Sequence, residues 1–295
     1  MAVAAVAVVL VQPRSLAAPT FSDWSTPVNL GDVVNSPFND TLPTLSRDGL
    51  TLYFSSNRPG GVGDSDIWVS QRADATAPWG PPFNLGPVVN SPSADNGPAL
   101  SRDEHWLFFH SARPGGFGGY DLMASWRPHV HDDFGWQTPV NLGPSVNSVF
   151  NDAGASYLED GDNGTPQLYF GSDRPGVGAF DFYVADFGRD GTLGPARLIP
   201  ELSSTANDQR PVIRFDGREI FFFSARPGSR GQDVWTATRA AVGDPWTPPI
   251  NVASVNSEFN DAQCALSSDA RTLIIASDRP GGVGGVDLWV STRSR

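Results

Sequence analysis

The sequence contains only five glutamates, and two of them are candidates for acid–base chemistry. The 32 acidic residues are 27 Asp and five Glu, and Glu201 and Glu258 lie in segments whose counterparts elsewhere in the chain have no acid. Cleavage of a glycosidic bond needs one carboxyl group as the acid and another as base or nucleophile on the opposite side of the bond. The candidate partners are Asp40, Asp152 and Asp261. A carbohydrate-active glycoside hydrolase or lyase is therefore an alternative function.

A series of five aspartates recurs at equivalent positions, each just before an apolar, strand-like run: Asp40, Asp95, Asp152, Asp208 and Asp261. Asn precedes four of them, at Asn39, Asn151, Asn207 and Asn260, and Phe stands before three of these pairs, at Phe38, Phe150 and Phe259. If each following run is the innermost strand of its unit, these side chains ring one mouth of a central channel and form a binding surface. In the alternative, structural interpretation each Asp caps its own strand or pairs with a nearby Arg.

The histidines offer a weaker signal, for a metal. All four fall in one stretch, at His105, His110, His129 and His131. His105, His129 and His131, together with Asp132, have the donor types that a divalent metal takes. Histidines in a loop are more often solvated polar chain, so the sequence predicts no metal and keeps these four residues as weak candidates. No cofactor fingerprint is present, and no cofactor is expected.

Composition excludes several other classes of protein. All 20 basic residues are Arg, and the net charge is −12. Without Lys the chain cannot form a Schiff base or a phosphate-loop lysine contact. An acidic surface disfavours nucleic acid, which is held by clustered cations. The single Cys264 permits neither an internal disulfide nor a cysteine-rich zinc site.

The first residues have the character of an export signal. Residues 2–11 form an apolar run that is followed by small residues up to Ala18. Ten residues are too few to span a bilayer, but they match the apolar region of a secretory signal peptide, which we predict over residues 1–18. No later apolar run is long enough for a transmembrane helix. The sequence therefore predicts a monomer that is periplasmic or secreted.

Internal repeats predict the fold. The sequence is self-similar with a period of about 55 residues. One marker is Ser-x-Arg-Pro-Gly, whose arginines are Arg58, Arg113, Arg174, Arg226 and Arg279. A second is Asp before an apolar pair, at Asp66, Asp121, Asp181, Asp233 and Asp287. An ion pair between these arginines and a carboxylate is expected to brace each long loop.

Each unit contains four short apolar or alternating runs separated by turn signals, which is typical of strands. Five such units predict an all-β fold over residues 21–295, a five-bladed β-propeller of four-stranded blades. A solitary strand precedes the first complete unit, and the last unit lacks its fourth strand. The N-terminal strand is therefore expected to join the C-terminal blade and to close the ring. The two longest connections of every unit, second to third and fourth to first strand, emerge on one face, the long-loop face.

The segments 45–49, 52–61 and 66–68, with the sequences LSRDG, LYFSSNRPGG and DIW, resemble the WD40-like propeller repeat of TolB and related bacterial envelope proteins. The resemblance extends over all five units, although TolB has six. It implies a periplasmic or secreted binding platform. The leading expectation is thus a non-catalytic platform that recognises a protein, peptide or glycan on the long-loop face.

Overall fold

The structure, a computed structural model, describes residues 21–159, 164–188 and 191–295. Their regular structure consists of twenty strands in five four-stranded antiparallel sheets. The predicted five-bladed β-propeller is confirmed. In these ranges no helix has the length and apolar character needed to cross a bilayer. The signal peptide predicted over residues 1–18 lies outside the described residues.

The blades follow one another along the chain, each from its innermost to its outermost strand. Blade one contains β2 (Asp40–Leu45), β3 (Thr51–Ser56), β4 (Asp66–Gln71) and β5 (Phe83–Asn84). Blade two contains β6 (Asp95–Leu100), β7 (Trp106–Ser111), β8 (Asp121–Trp126) and β9 (Val140–Asn141). Blade three contains β10 (Asp152–Leu158), β11 (Gln167–Ser172), β12 (Asp181–Asp186) and β13 (Arg197–Leu198). Blade four contains β14 (Asp208–Ile213), β15 (Glu219–Ser224), β16 (Asp233–Thr238) and β17 (Ile250–Asn251).

Blade five is built from both ends of the chain. It contains β18 (Asp261–Leu266), β19 (Thr272–Ser277) and β20 (Asp287–Thr292), and β1 (Val28–Asn29) is its outermost strand. Val28 lies opposite Val290 in an antiparallel pair. The expected closure is confirmed, and it removes the two sheet edges that would otherwise be left open.

The core lies between neighbouring blades. The second strand of each blade is apolar along its centre, as in the fully buried Leu52, Tyr53 and Phe54 of β3. A continuous apolar run is expected where a strand is covered on both faces. Five clusters of buried side chains fill the spaces around the ring.

Every innermost strand contains a bulge. The register of each shifts near its third residue, and that residue has a positive φ. We call these five residues the bulge positions: Leu42 (φ 52°), Gly97 (68°), Gly154 (67°), Arg210 (54°) and Gln263 (51°). A bulge redirects the strand locally and changes where a side chain points. The five blades thus share one backbone irregularity but carry different side chains there.

The turns between first and second strands lie at the other end of the channel, on the turn face. In three blades an Asp accepts a 2.6 Å hydrogen bond from the Ser hydroxyl two residues earlier, at Asp48, Asp103 and Asp269. Asp side chains stabilise turns in this way. The equivalent residue of blade three, Asp160, lies outside the described residues. In blade four Asp216 has an arginine partner instead.

Candidate functional site

The five aspartates predicted to ring the channel mouth lie inside the long loops. Asp40, Asp95, Asp152, Asp208 and Asp261 are all 0% exposed. Each pairs with the arginine of its own blade, as in Arg113–Asp95 and Arg226–Asp208, both at 2.6 Å.

The second carboxylate oxygen of each of these aspartates is also bonded. In blade four, Asp208 Oδ2 accepts hydrogen bonds from the backbone N–H and the hydroxyl of Ser204 at 2.6 and 2.7 Å. A carboxylate removed from water needs a cation and hydrogen-bond donors. These groups therefore stabilise the loops, as in the structural interpretation, and they are not exposed to a ligand as the acidic ring would be.

The second fivefold Asp series binds backbone rather than arginine. Asp121 accepts hydrogen bonds from the N–H groups of Phe117 (2.6 Å) and Gly118 (3.2 Å) and from Asn141 Nδ2 (3.0 Å). A Cβ at Gly116 would lie 1.8 Å from the Asp121 carboxylate, so a residue with a side chain does not fit at this position. The expected ion pair is present in every loop, and its carboxylate comes from the first series.

The asparagines and phenylalanines of the long-loop face have different environments. Asn151 donates from its backbone and its side chain to Asp173, at 2.6 and 2.7 Å, and accepts from the Tyr120 N–H at 3.0 Å. Asn260 makes the corresponding bonds in blade five, Asn39 donates to Asn57, and Asn207 accepts from Gln209. Phe38, Phe150 and Phe259 are 38–42% exposed. The asparagines therefore link loops, while the aromatic rings face solvent.

Glu201 and Glu258 are not assembled with the aspartates. Both are exposed, and the carboxylate of Glu258 lies 3.9 Å from Arg230 on the surface. Their candidate partners Asp40, Asp152 and Asp261 are enclosed in ion pairs. The structure therefore brings together no acid–base pair from these five residues.

The weak metal candidates do not converge either. His105 stacks on Trp126, with ring centroids 5.8 Å apart, and its Nδ1 lies 2.8 Å from the Arg127 carbonyl oxygen. His129, His131 and Asp132 are exposed. Among the described residues no three His, Cys, Asp or Glu side chains are grouped as a metal ion would require.

A cavity of about 770 Å³ lies at the centre of the ring on the turn face. The innermost strands β2, β6, β10, β14 and β18 and the turns that follow them line it. Seven arginines and four carboxylates are among the described lining residues, which gives a net charge of +3: Arg47, Arg102, Arg210, Arg214, Arg218, Arg271 and Arg295, with Glu104, Glu159, Asp216 and Asp269. This volume is typical of a small-molecule site.

Glu104 is the most unusual carboxylate of this central cavity. It has a φ of 61° at a turn position where blades one and four have Gly49 (73°) and Gly217 (68°) and blade five has Ala270 (58°). A side chain at positive φ costs roughly 1 kcal/mol or more, and such strain is concentrated at functional sites. The Glu104 carboxylate accepts a hydrogen bond from the Arg47 N–H of blade one. Burial raises the pKa of Glu104, which favours the protonated form.

Asp216, in contrast to Glu104, is held in the ionised form. It accepts hydrogen bonds from Arg214 Nε and Nη2 at 2.7 and 2.8 Å. Burial acts to raise the pKa of Asp216, but the hydrogen bonds and positive charges of Arg214 and Arg218 together outweigh it and the pKa is lowered. One carboxyl group of raised pKa and one of lowered pKa is the division that acid and base roles require.

Arg210 extends from its bulge position across the channel. Its Nη2 donates to the carbonyl oxygens of Pro43 in blade one (3.0 Å) and Pro98 in blade two (2.9 Å). The side chain is buried, and Nε and Nη1 have no hydrogen-bond partner among the described residues. Arg210 therefore forms the floor of the central cavity.

His110 lies beside this floor and is buried. Burial, and secondarily the charge of Arg210, lowers the pKa of His110 to about 3. Its Nδ1 accepts the Gly154 N–H at 3.3 Å, which requires an unprotonated Nδ1. His110 is thus neutral under all ordinary conditions.

The pKa of His110 predicts a loss of stability in acid. The folded pKa is about 3 and the unfolded value is about 6.5, so the unfolded chain takes up the proton first and stability falls as the pH drops below 6.5. We expect this residue to cost about 2 kcal/mol at pH 5. Urea unfolding at pH 7.5 and 5.0 should show that difference shrinking in His110→Gln. The exposed His131→Gln serves as control, and parallel pH dependences of wild type and His110→Gln would contradict the assignment.

No protein-family model and no curated protein sequence matches this chain. Several solved structures do match it in fold. The catalytic domain of a family-62 α-L-arabinofuranosidase from Coprinopsis cinerea has a TM-score of 0.63 at 13% identity, covering 94% of this chain and 98% of that one. A family-43 endo-arabinanase from Bacillus licheniformis has a TM-score of 0.60 at 14% identity, covering 90% and 95%. TolB from Acinetobacter baumannii has a TM-score of 0.52 at 14% identity, covering 89% of this chain and 56% of TolB.

At these identities the similarity shows the fold. TolB is among the structural relatives, so the resemblance to its repeat is confirmed at the level of the propeller. The prediction of a non-catalytic binding platform is wrong. Glycoside hydrolases of families 62 and 43 match over nearly the full length of both chains, and the acidic ring on which the platform depended is buried.

Sequence reasoning missed the residues of the central cavity. Of the turns between first and second strands it kept only His105, as a weak metal candidate, and it directed attention to the longer loops. The available signal was a departure from the repeat. Glu104 replaces a turn glycine, and Arg210 is the only charged residue among the five bulge positions.

Proposed function

We propose that this chain is a glycoside hydrolase and that the central cavity on the turn face is its active site. The observation that carries the proposal is Glu104, a partly buried carboxyl group of raised pKa at a strained turn that lines the cavity. The likeness in fold to arabinofuranosidases and an arabinanase supports it. An arabinose-containing plant polysaccharide is accordingly the first substrate class to examine.

Glu104 has the properties of a general acid. A catalytic acid must carry its proton at the working pH, and burial raises the pKa of Glu104 in that direction. The hydrogen bond from the Arg47 N–H fixes one carboxyl oxygen and leaves the other for the substrate. Glu104 would transfer its proton to the glycosidic oxygen as the bond to the anomeric carbon breaks.

Asp216 is the partner that we assign to Glu104. It belongs to blade four and Glu104 to blade two, so the two carboxyl groups approach the cavity from non-adjacent blades. Its lowered pKa keeps Asp216 ionised. A carboxylate in this state stabilises positive charge at the anomeric carbon and accepts a proton from the water that adds to it.

The proposal predicts that Glu104→Gln lowers kcat about 100-fold or more, because a carboxamide cannot donate the proton. The full chain should be incubated with arabinan, arabinoxylan, pectin and xylan, and the released sugar should be measured. Glu201→Gln is the matched control, since Glu201 is exposed on the other face. Absence of sugar release from any polysaccharide, or full activity of Glu104→Gln, would contradict the proposal.

We also propose that the enzyme acts outside the cytoplasm, in the periplasm or as a secreted protein. The export signal predicted over residues 1–18 is the support for this location. N-terminal sequencing of protein recovered from culture medium or periplasm tests it, and a mature chain that begins after Ala17 or Ala18 is the expected result.

A further inference from the structure

Arg210 differs from the other buried arginines of the described residues. Arg127, Arg214, Arg226 and Arg293 each pair with a carboxylate at 2.6–2.8 Å. Arg210 has no carboxylate partner, and its Nε and Nη1 have no hydrogen-bond acceptor within the described ranges. A buried charge without a counter-charge is costly. Retaining one at the floor of an open cavity indicates that its counter-charge is a ligand.

The neighbours of Arg210 do not supply an anion. Burial and the charge of Arg210 keep His110 neutral, with a pKa of about 3. Burial raises the pKa of Cys264 to about 12, so that its thiol keeps its proton. The pKa of Arg210 itself, lowered by burial to about 10, still leaves the guanidinium charged at neutral pH. The floor of the cavity is therefore cationic.

Blades two and three make room for this guanidinium. The bulge positions of blades two and three are Gly97 and Gly154. A Cβ at Gly97 would lie 2.8 Å from Arg210 Nη1 and 2.6 Å from the His110 ring. The glycines of blades two and three thus leave the space that the arginine of blade four occupies.

The walls of the cavity, like its floor, carry an excess of positive charge, although four carboxylates are among the lining residues. The described lining residues carry a net charge of +3 in a chain of net charge −12. Arg47, Arg218 and Arg271 line the cavity, and none of them has an ion pair within the described residues. A cleft lined by one sign of charge concentrates ligands of the opposite sign.

We infer that the central cavity binds a glycan containing uronic acid, and that the sugar carboxylate supplies the counter-charge that Arg210 lacks at the floor of the cavity. That the ligand is a glycan rests on the proposed function, and that it is acidic rests on the uncompensated charge of Arg210. A carboxylate supplies the single negative charge that this guanidinium lacks. Arg210 would then determine specificity, while Glu104 and Asp216 perform the chemistry.

Binding of trigalacturonate to the full chain tests this assignment without any need for turnover. Isothermal titration should show binding of trigalacturonate and at least 10-fold weaker binding of neutral xylotriose. Arg210→Met should weaken trigalacturonate binding at least 10-fold and leave xylotriose binding unchanged. Arg230→Met, on the exposed long-loop face, is the matched control.

Thermal unfolding with and without trigalacturonate separates recognition from a structural role. A ligand that binds only the folded protein raises its unfolding temperature, so trigalacturonate should stabilise the wild type and not Arg210→Met, whatever the loss of the hydrogen bonds to Pro43 and Pro98 costs the ligand-free variant. Equal stabilisation of the two proteins by trigalacturonate would overturn the inference, as would equal affinity for trigalacturonate and xylotriose. Equal affinity for glucose 6-sulfate and glucuronate would overturn the preference for carboxylate.

The two proposals fail in different ways. If trigalacturonate binds through Arg210 but no polysaccharide is cleaved, the hydrolase is wrong and the acid-binding site stands. If neutral arabinan is cleaved through Glu104 and trigalacturonate does not bind, the hydrolase stands and the acid-binding site is wrong.

Discussion

Replacing Arg226 by Ala is expected to lower the free energy of unfolding by about 3–5 kcal/mol. Arg226 is buried and donates to Asp208 and to the Leu202 carbonyl oxygen, both at 2.6 Å. Without it the fully buried Asp208 carboxylate loses the one cation that pairs with it among the described residues. Removing one member of a buried pair is costly because the remaining charge has neither water nor a partner. Urea unfolding followed by tryptophan fluorescence measures the difference.

Arg230→Ala is the control for this prediction. Arg230 lies in the same loop, but its side chain is 69% exposed and 3.9 Å from Glu258, which is 83% exposed. Exposed pairs contribute little, so the change should stay within about 0.5 kcal/mol. A loss of less than 1 kcal/mol in Arg226→Ala would show that the clamp does not stabilise the loop in the way described.

Trp24→Ala is expected to destabilise the protein by about 3–5 kcal/mol. Trp24 precedes the closing strand β1 and is 8% exposed. Its ring meets Phe221 edge-on, with centroids 6.0 Å apart, and the Arg293 guanidinium lies 4.4 Å from it. These contacts hold the N-terminal segment against blades four and five, so truncation both opens a cavity and weakens the closure of the ring.

The closing strand itself supplies the matched control. Val28 lies opposite Val290 in the antiparallel pair, and its side chain is 63% exposed. Val28→Ala should therefore change stability by less than about 0.5 kcal/mol. Equal effects of the two substitutions, measured by denaturant unfolding, would show that the closure depends on the strand and not on the packing of Trp24.

The fold could be predicted because the repeat is regular at each level. A period of about 55 residues, with four strand signals in each unit, leaves little choice of architecture. The surplus strand at the N-terminus and the missing one at the C-terminus also predicted the closure. An ion pair in each loop followed from the repeated Arg. Its carboxylate was uncertain, because the Asp40 and Asp66 series are equally regular and spacing alone does not measure distance.

The site was harder to predict for a physical reason. Long loops and a fivefold acid series directed attention to one face, but a residue present in every blade is usually needed to build the blade. Glu104 and Arg210 occur once, and their environments come from other blades: the Arg47 N–H for one, and the Pro43 and Pro98 carbonyl groups for the other. Contacts between units about 55 residues or more apart leave no local pattern in a sequence.

The shared fifth blade determines when the molecule can finish folding. The Ser22 N–H donates to the Ser294 carbonyl oxygen at 2.9 Å, and β1 pairs only with β20. A ribosome adds Ser294 to the chain 272 residues after Ser22. Until then the chain can form blades one to four, but blade five is incomplete and β1 has no strand to pair with. The ring therefore cannot close before β20 has been synthesised and can reach β1.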